Sequence, residues 1–233
     1  MPSLLIDTST ERGITAILDQ SRLVFSEELP FGYNNSKHLV PQIMRAFKQT
    51  GLSAQLLDYI AVGIGPGSYT GIRVGVIVAK SLAYAAGLPL VGVCSLMGFV
   101  PSGDGAFAAI MDAKMGGAYI LVGNKGRDGV CYTSQPEVCA LEKLGQKLEG
   151  VSALATPHSA VLQPKLQALY PGNSWKWEEK APDPIHMGRI AQDKYEQKEY
   201  SLDGHLELLY LRKTQAETER QRHRDREIQR GPA

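Results

Sequence analysis

Cysteine is scarce: Cys94, Cys131 and Cys139 are the only three in 233 residues, and no two of them form a Cys-x-x-Cys pair. An odd, unpaired set excludes a disulfide framework and a zinc knuckle and fits a reducing compartment, so a cytoplasmic location is expected. A charge excess of either sign is missing too, with 25 Lys and Arg against 24 Asp and Glu. Autonomous nucleic-acid binding concentrates positive charge, so any RNA role is expected to need a partner. The five histidines, His38, His158, His186, His205 and His223, contain no i,i+4 pair and no His-Glu-x-x-His. That spacing argues against a helical dimetal or zinc-protease site. No Gly-x-Ser-x-Gly elbow occurs, which removes the usual hydrolase nucleophile. The uncharged stretch Ser81 to Pro101 is broken by Gly87-Leu88-Pro89 and diluted by Gly92, Ser95 and Gly98, and reads as helix, turn and strand, not as a membrane span. Met1 to Asp7 has no basic region ahead of its short apolar stretch and reads as a first strand, not a secretory signal.

What is present is a globular composition, 43% hydrophobic and 21% charged, enough to bury the core of one or two domains. Leu4 to Asp7, Gly13 to Leu18 and Leu23 to Leu29 predict an antiparallel meander, a layout of α/β folds with a mixed sheet. From Ser36 to Thr50 the apolar residues Leu39, Val40, Ile43, Met44 and Phe47 recur at helical spacing, with Gln42, Arg45, Lys48 and Gln49 assigned to the outer face and Pro41 to the first turn. Asp58 to Val93 reads as one strand, turn, helix, strand unit, its helix running from about Ile72 to Ala86. Gly103-Asp104-Gly105 marks a boundary, after which strands at Ala106 to Asp112 and Ala118 to Gly123 open a smaller unit. The expected division is residues 1–103 with about 183–212 as the first domain, 104–182 as the second, and 213–233 as a mobile charged tail. A helix at Met187 to Glu196 and a strand at Leu206 to Leu211 are expected to complete the first domain.

Three features carry chemistry. The glycine-rich run Gly63 to Gly75 opens directly into a helix, which suits either an anion held by backbone N–H groups or close backbone packing. It matches neither the Gly-x-Gly-x-x-Gly fingerprint nor a P-loop. Inside that helix, Gly71, Gly75, Ala79 and Ala83 form a small-residue stripe for close approach, either internal or at a subunit interface. Asp7, followed by Thr8, Ser9 and Thr10, suits a metal-bound water and phosphate or the capping of a turn. Asp112 and Lys114 offer a second acid and a cation, or a surface hairpin.

Four segments in combination, Leu4-Leu-Ile-Asp7-Thr8-Ser9, Gly63-Ile-Gly-Pro-Gly-Ser-Tyr-Thr-Gly-Ile-Arg-Val-Gly75, Met111-Asp-Ala-Lys-Met-Gly-Gly-Ala-Tyr119 and Leu209-Tyr-Leu-Arg212, resemble the TsaB (YeaZ) family of bacterial tRNA threonylcarbamoyladenosine biosynthesis. The resemblance runs from residue 1 to about 212. It implies an α/β fold of the actin, sugar-kinase and heat-shock-chaperone (ASKHA) type, with two domains, each carrying a mixed sheet and helices. It further implies a non-catalytic relative of TsaD. Such a scaffold dimerises with TsaD, helps recruit the ATPase TsaE, pairs with itself when TsaD is absent, and meets tRNA through the complex, away from membranes. In that pathway TsaC supplies threonylcarbamoyl-AMP, and the group is transferred to the adenosine beside the anticodon of tRNAs reading ANN codons. The partner interface implied comprises Leu39, Val40, Ile43, Met44, Phe47, Gly71, Gly75, Ala79 and Ala83. Asp7, Ser9, Thr10, Gly65, Gly67 and Ser68 become a vestigial nucleotide or phosphate site, with no cofactor or metal required and weak ATP or ADP binding with magnesium as the most expected of it. The sequence departs from the family pattern at Asn35-Ser36-Lys37, where His-Ser-Glu is frequent, at Lys114, where Arg is common, and at Gly117-Ala118. An active ATP-dependent kinase or ATPase of the same fold is the alternative, motivated by Asp7 and the glycine-rich turn. A glycoprotease, an old label for relatives, is disfavoured by the missing histidine pair.

Overall fold

The computed structural model describes residues 1–20, 22–32 and 35–212. The expected charged tail, 213–233, lies outside the described residues. The chain forms β1 (Pro2–Asp7), β2 (Ile14–Asp19), β3 (Arg22–Glu28), α1 (Asn35–Thr50), β4 (Tyr59–Gly63), α2 (Tyr69–Ala86) and β5 (Leu90–Val93). Their sheet has the order β3-β2-β1-β4-β5, antiparallel through the meander and parallel from β1 to β5. The second sheet draws on β6 (Gly105–Asp112), β7 (Gly117–Gly126), β8 (Gly129–Tyr132), β9 (Glu137–Ala140), β10 (Ala153–Thr156) and β11 (Lys176–Glu179). Its order is β11-β10-β6-β7-β8, with β9 also on β7, and the short α3 (Leu144–Lys147) and α4 (Ser159–Leu169) accompany it. Finally α5 (Pro184–Glu196) returns the chain to the first sheet.

Alternation along the strands explains the two-sided burial of the first sheet. Leu4 and Ile6 of β1, with Ile60 and Val62 of β4, face α1 and α2. Leu5, Ala61 and Val91 point the other way, onto Met187 and Ala191 of α5. Local chemistry sets the helix ends. Ser68 caps α2, its Oγ accepting from the Gly71 N–H at 3.2 Å, and Gly87 in the left-handed region (φ 68°) closes it. Asp183 Oδ1 accepts from the Ile185 and His186 N–H groups and Pro184 opens the first turn, so α5 starts earlier than the expected Met187.

Four expectations need correction. Gln42 is fully buried, not on the outer face of α1, because its side-chain amide donates to the Glu27 carbonyl of β3 at 2.5 Å. Pro41 falls in the second turn of α1, where it removes a donor the helix would use. Residues 206–211 form no strand: Leu206 and Leu208 pack on the first core, while the backbone meets the end of β4 once, Leu209 N–H to the Ile64 carbonyl at 2.9 Å. The stripe on α2 faces its own sheet. Ala79 and Ala83 lie in the first core, and a methyl group added at Gly75 would collide with the Thr8 hydroxyl. Leu39 and Ile43 are buried in the same core. Of the expected interface, Gly75, Ala79, Ala83, Leu39 and Ile43 are therefore covered by the chain itself, and Gly71 lies against Thr8.

Because Ala79 is completely enclosed, Ala79→Arg forces an unpaired guanidinium into the core at about 3–5 kcal/mol. The expected outcome is an insoluble or largely unfolded chain by far-ultraviolet circular dichroism. A wild-type melting temperature would place this face of α2 on the surface instead.

Candidate functional site

Asp7 ends β1 and is wholly buried. Its Oδ1 accepts from the Ser9 N–H at 2.8 Å, an Asx-type turn. Oδ2 sits against Gly63 and Ser95, where a methyl group on Gly63 would collide with it. No well-formed hydrogen bond reaches Oδ2. The Ser9 and Ser95 hydroxyls ease the charge, but burial outweighs them and lifts the carboxyl above its ordinary 3.8.

The glycine-rich turn closes over this carboxylate. Ser68 N–H donates to the Ser9 carbonyl at 2.7 Å and Gly65 N–H to Ser95 Oγ at 3.2 Å, while the Thr8 hydroxyl donates to the Gly71 carbonyl at 2.7 Å. A Cβ at Gly67 would strike the Ser9 carbonyl, and one at Gly71 the Thr8 carbonyl. Asp7, Ser9, Gly65, Gly67 and Ser68 are thus brought together, with Thr10 buried beside them, but as a packed knot. The N–H groups of Gly65, Ser68 and Gly71 are taken up within the chain, and the glycines serve close approach. Among the described residues, no group of three or more His, Cys, Asp and Glu could hold a metal ion.

An open cavity of about 260 Å³ lies beside the knot, between the turn at Gly67 to Tyr69 and the β6–β7 hairpin at Met111 to Lys114. Lys114 is shaped into the hairpin by a positive φ of 62° and pairs with Asp112 at 3.0 Å. His158, ahead of α4, joins the two sides. Its Nδ1 accepts from the Asp112 N–H at 3.2 Å, so Nε2 carries the proton donated to Glu11 Oε2 at 2.8 Å. Arg212 donates to the carbonyls of Ala113 and Lys114, and Tyr210 stacks on Tyr69 with ring centres 4.5 Å apart. The four segments singled out in the sequence therefore converge around one cavity. Glu11 was not singled out by sequence and His158 read as a lone histidine; their separation by 147 residues leaves no local signal.

A second surface lies on the outer sides of α1 and α2. Met44 is 64% exposed, Val40 49% and Ile77 62%, with Phe47, Val74 and Val78 half-buried among them on the two packed helices.

Residues 33–148 match the family model described as TsaD, tRNA N6-adenosine threonylcarbamoyltransferase. The tRNA threonylcarbamoyladenosine biosynthesis protein TsaB of Haemophilus influenzae is 29% identical over 225 residues, 90% of this chain and 92% of the relative. TsaB of Bacillus subtilis is 34% identical over 122 residues, covering 51% of this chain and 53% of the relative. The solved structure of YeaZ from Pseudomonas aeruginosa superposes with a TM-score of 0.78 at 21% identity, covering 90% of this chain and 99% of the other. Over most of its length the chain is similar in sequence to a TsaB protein. The likeness to YeaZ is one of fold, an α/β arrangement of two mixed sheets with helices, as expected from the sequence. In this chain, α1 and α2 both fall inside the segment matched by the TsaD model, as does the hairpin bearing Asp112 and Lys114. No helix among the described residues is long and apolar enough to cross a membrane.

The buried carboxylate gives a pH signature. A raised folded-state value means the folded chain holds the Asp7 proton to higher pH than the unfolded chain does, so stability falls as pH rises from about 4 through that raised value. Asp7→Asn keeps the acceptor for Ser9 and removes the desolvated charge. Urea denaturation at pH 5 and pH 8 is expected to show Asp7→Asn equal to or more stable than wild type at pH 8, with a flatter pH dependence. A large loss of stability at pH 8 would mean that the carboxylate charge has a partner.

Proposed function

We propose that this chain is an accessory subunit in tRNA threonylcarbamoyladenosine biosynthesis, working through contact with TsaD and supplying no catalytic group of its own. The observation that carries this reading is the exposed apolar face of α1 and α2, centred on Val40, Met44 and Ile77, beside an Asp7 sealed from solvent. Exposed apolar residues on neighbouring helices suit a helix-to-helix interface with a low desolvation cost. The rim supplies Arg45, paired with Glu27 at 2.7 Å, and exposed Lys48, charges that fix register more than affinity. The same face accounts for self-association in the absence of TsaD, and TsaE joins the pair once formed. tRNA is reached through the assembly, in keeping with a net charge of +1.

How such a subunit assists chemistry follows from its construction. The hydrogen bonds at the Asp7 knot hold α2 against β1, and the His158–Glu11 strut ties the first sheet's unit to the second, so α1 and α2 present a rigid face. A rigid face binds the matching conformation of a mobile partner and enriches it. ATP turnover by this chain is not required, since the turn that would hold phosphates is closed on Ser9.

Labelled-threonine incorporation into tRNA by cognate TsaC, TsaD and TsaE, with ATP and bicarbonate, is expected only when the chain is added. Equal incorporation without it, or magnesium-dependent ATP turnover that Asp7→Ala lowers, would overturn the reading. Met44→Glu with Ile77→Glu is expected to leave the melting temperature near wild type, because both side chains are exposed. The same pair should weaken association with TsaD by about thirty-fold or more and reduce incorporation accordingly. Unchanged association, read by analytical ultracentrifugation, would move the interface elsewhere.

A further inference from the structure

A second cavity, of about 310 Å³, shares no residue with the cleft beside Asp7. Three cations from three elements line it: Lys125 of β7, Lys180 just after β11, and Arg189 of α5. Their placement is fixed by the fold. Lys125 Nζ donates to the carbonyls of Pro101 and Ser102 at 2.8 and 2.9 Å, and Lys180 Nζ donates to the Val100 carbonyl at 2.5 Å. An ammonium has three donors, so one remains on Lys125 and two on Lys180. Arg189 is exposed and has no hydrogen-bond or ion-pair partner among the described residues. The lining carboxylate, Asp183, has its Oδ1 engaged by two N–H groups of α5. Glu178, which touches the rim through the Ser102 N–H, is paired with Lys176 at 2.8 Å. In a chain whose charges otherwise balance, donors and positive charge converge here on a space large enough for a tetrahedral anion.

We propose that this cavity is a site for a phosphate group, seated by Lys125, Lys180 and Arg189. Ammonium donors and an unpaired guanidinium fork suit the oxygens of a phosphate mono- or diester. The group could belong to an RNA backbone or to a small phosphorylated molecule, and the same donors serve both. This site is independent of the α1–α2 docking face.

His186 lines the cavity and supplies a built-in reporter. Tyr132, hydrogen-bonded to Nε2 at 2.9 Å, and Asp183, Arg189, Lys125 and Lys180 are the titratable and charged groups around it. Burial lowers its pKa from 6.5; Asp183 opposes this, while Arg189 and Lys125 add to it. An anion in the cavity would push it back up. The test is an NMR titration of the His186 ring in the full chain with inorganic phosphate, at ionic strength held constant with sodium chloride. A saturable shift with a raised His186 pKa is expected, weakened about tenfold or more by Arg189→Ala, which removes an exposed side chain and spares the fold. Lys180→Gln, checked for a wild-type melting curve, is expected to weaken it similarly. A shift that never saturates, or one identical in wild type and Arg189→Ala, overturns the site. Competition by tRNA identifies the phosphate as that of an RNA backbone; saturable binding that tRNA does not displace supports the site with a small phosphorylated ligand.

Discussion

The contact on which the molecule depends is the one between the end of β1 and the glycine-rich turn. Thr8 and Ser9 touch the backbone of Gly67 to Gly71 with no side chain between, and Thr8 fills the notch left by Gly75. This approach brings α2 down onto β1 and β4, places small residues where larger ones would hold the helix away, and encloses Asp7. Three properties come from one constraint: a tight first core, a carboxylate without solvent, and a turn whose Ser68 N–H is spent on the Ser9 carbonyl. Here the enclosing geometry makes Asp7 a cornerstone of packing, and its desolvation is offset by the knot's hydrogen bonds only in part.

With that region closed, the remaining openings take on different roles. The cleft beside it is spanned by His158 and Glu11 and clamped by Arg212. The hairpin carrying Asp112 and Lys114 is therefore fixed from both sides of the cavity. The exposed apolar face of α1 and α2 and the cationic cavity near α5 lie on separate surfaces with no lining residues in common. With the two surfaces separate, occupation of one need not disturb the other.

Much of the fold was legible because it is locally encoded. The strand, turn and helix from Asp58 to Ala86 announce themselves through an apolar run, a glycine cluster and Ser68 as a cap, and the meander through alternation. What periodicity cannot convey is which part of a broad apolar arc meets the core. On α1 the arc contains Leu39, Val40, Ile43 and Met44; burial divides it, sending Leu39 and Ile43 inward with Gln42 and leaving Val40 and Met44 outside. Gln42 misled because a polar side chain is counted as outward unless its partner, here a carbonyl on β3, is known. The α2 stripe was visible as a pattern of small residues, but a pattern states only that something approaches closely. Its own sheet does so. Pairs such as Glu11 with His158, or the convergence of Lys125, Lys180 and Arg189, arise from topology alone.

The path of α5 has a consequence for biosynthesis. Leu5, Ala61 and Val91, on the rear of the first sheet, are covered by Met187 and Ala191, nearly the last core residues of the described chain. A nascent chain emerging from the ribosome has all five strands of its first sheet by residue 93, yet that sheet keeps an open apolar face until the whole second unit has been made. Long-range closure of this kind slows folding and leaves surface exposed to aggregation. The first unit alone, expressed as a fragment ending near residue 103, should therefore be sticky, while a chain extended through α5 carries its own cover.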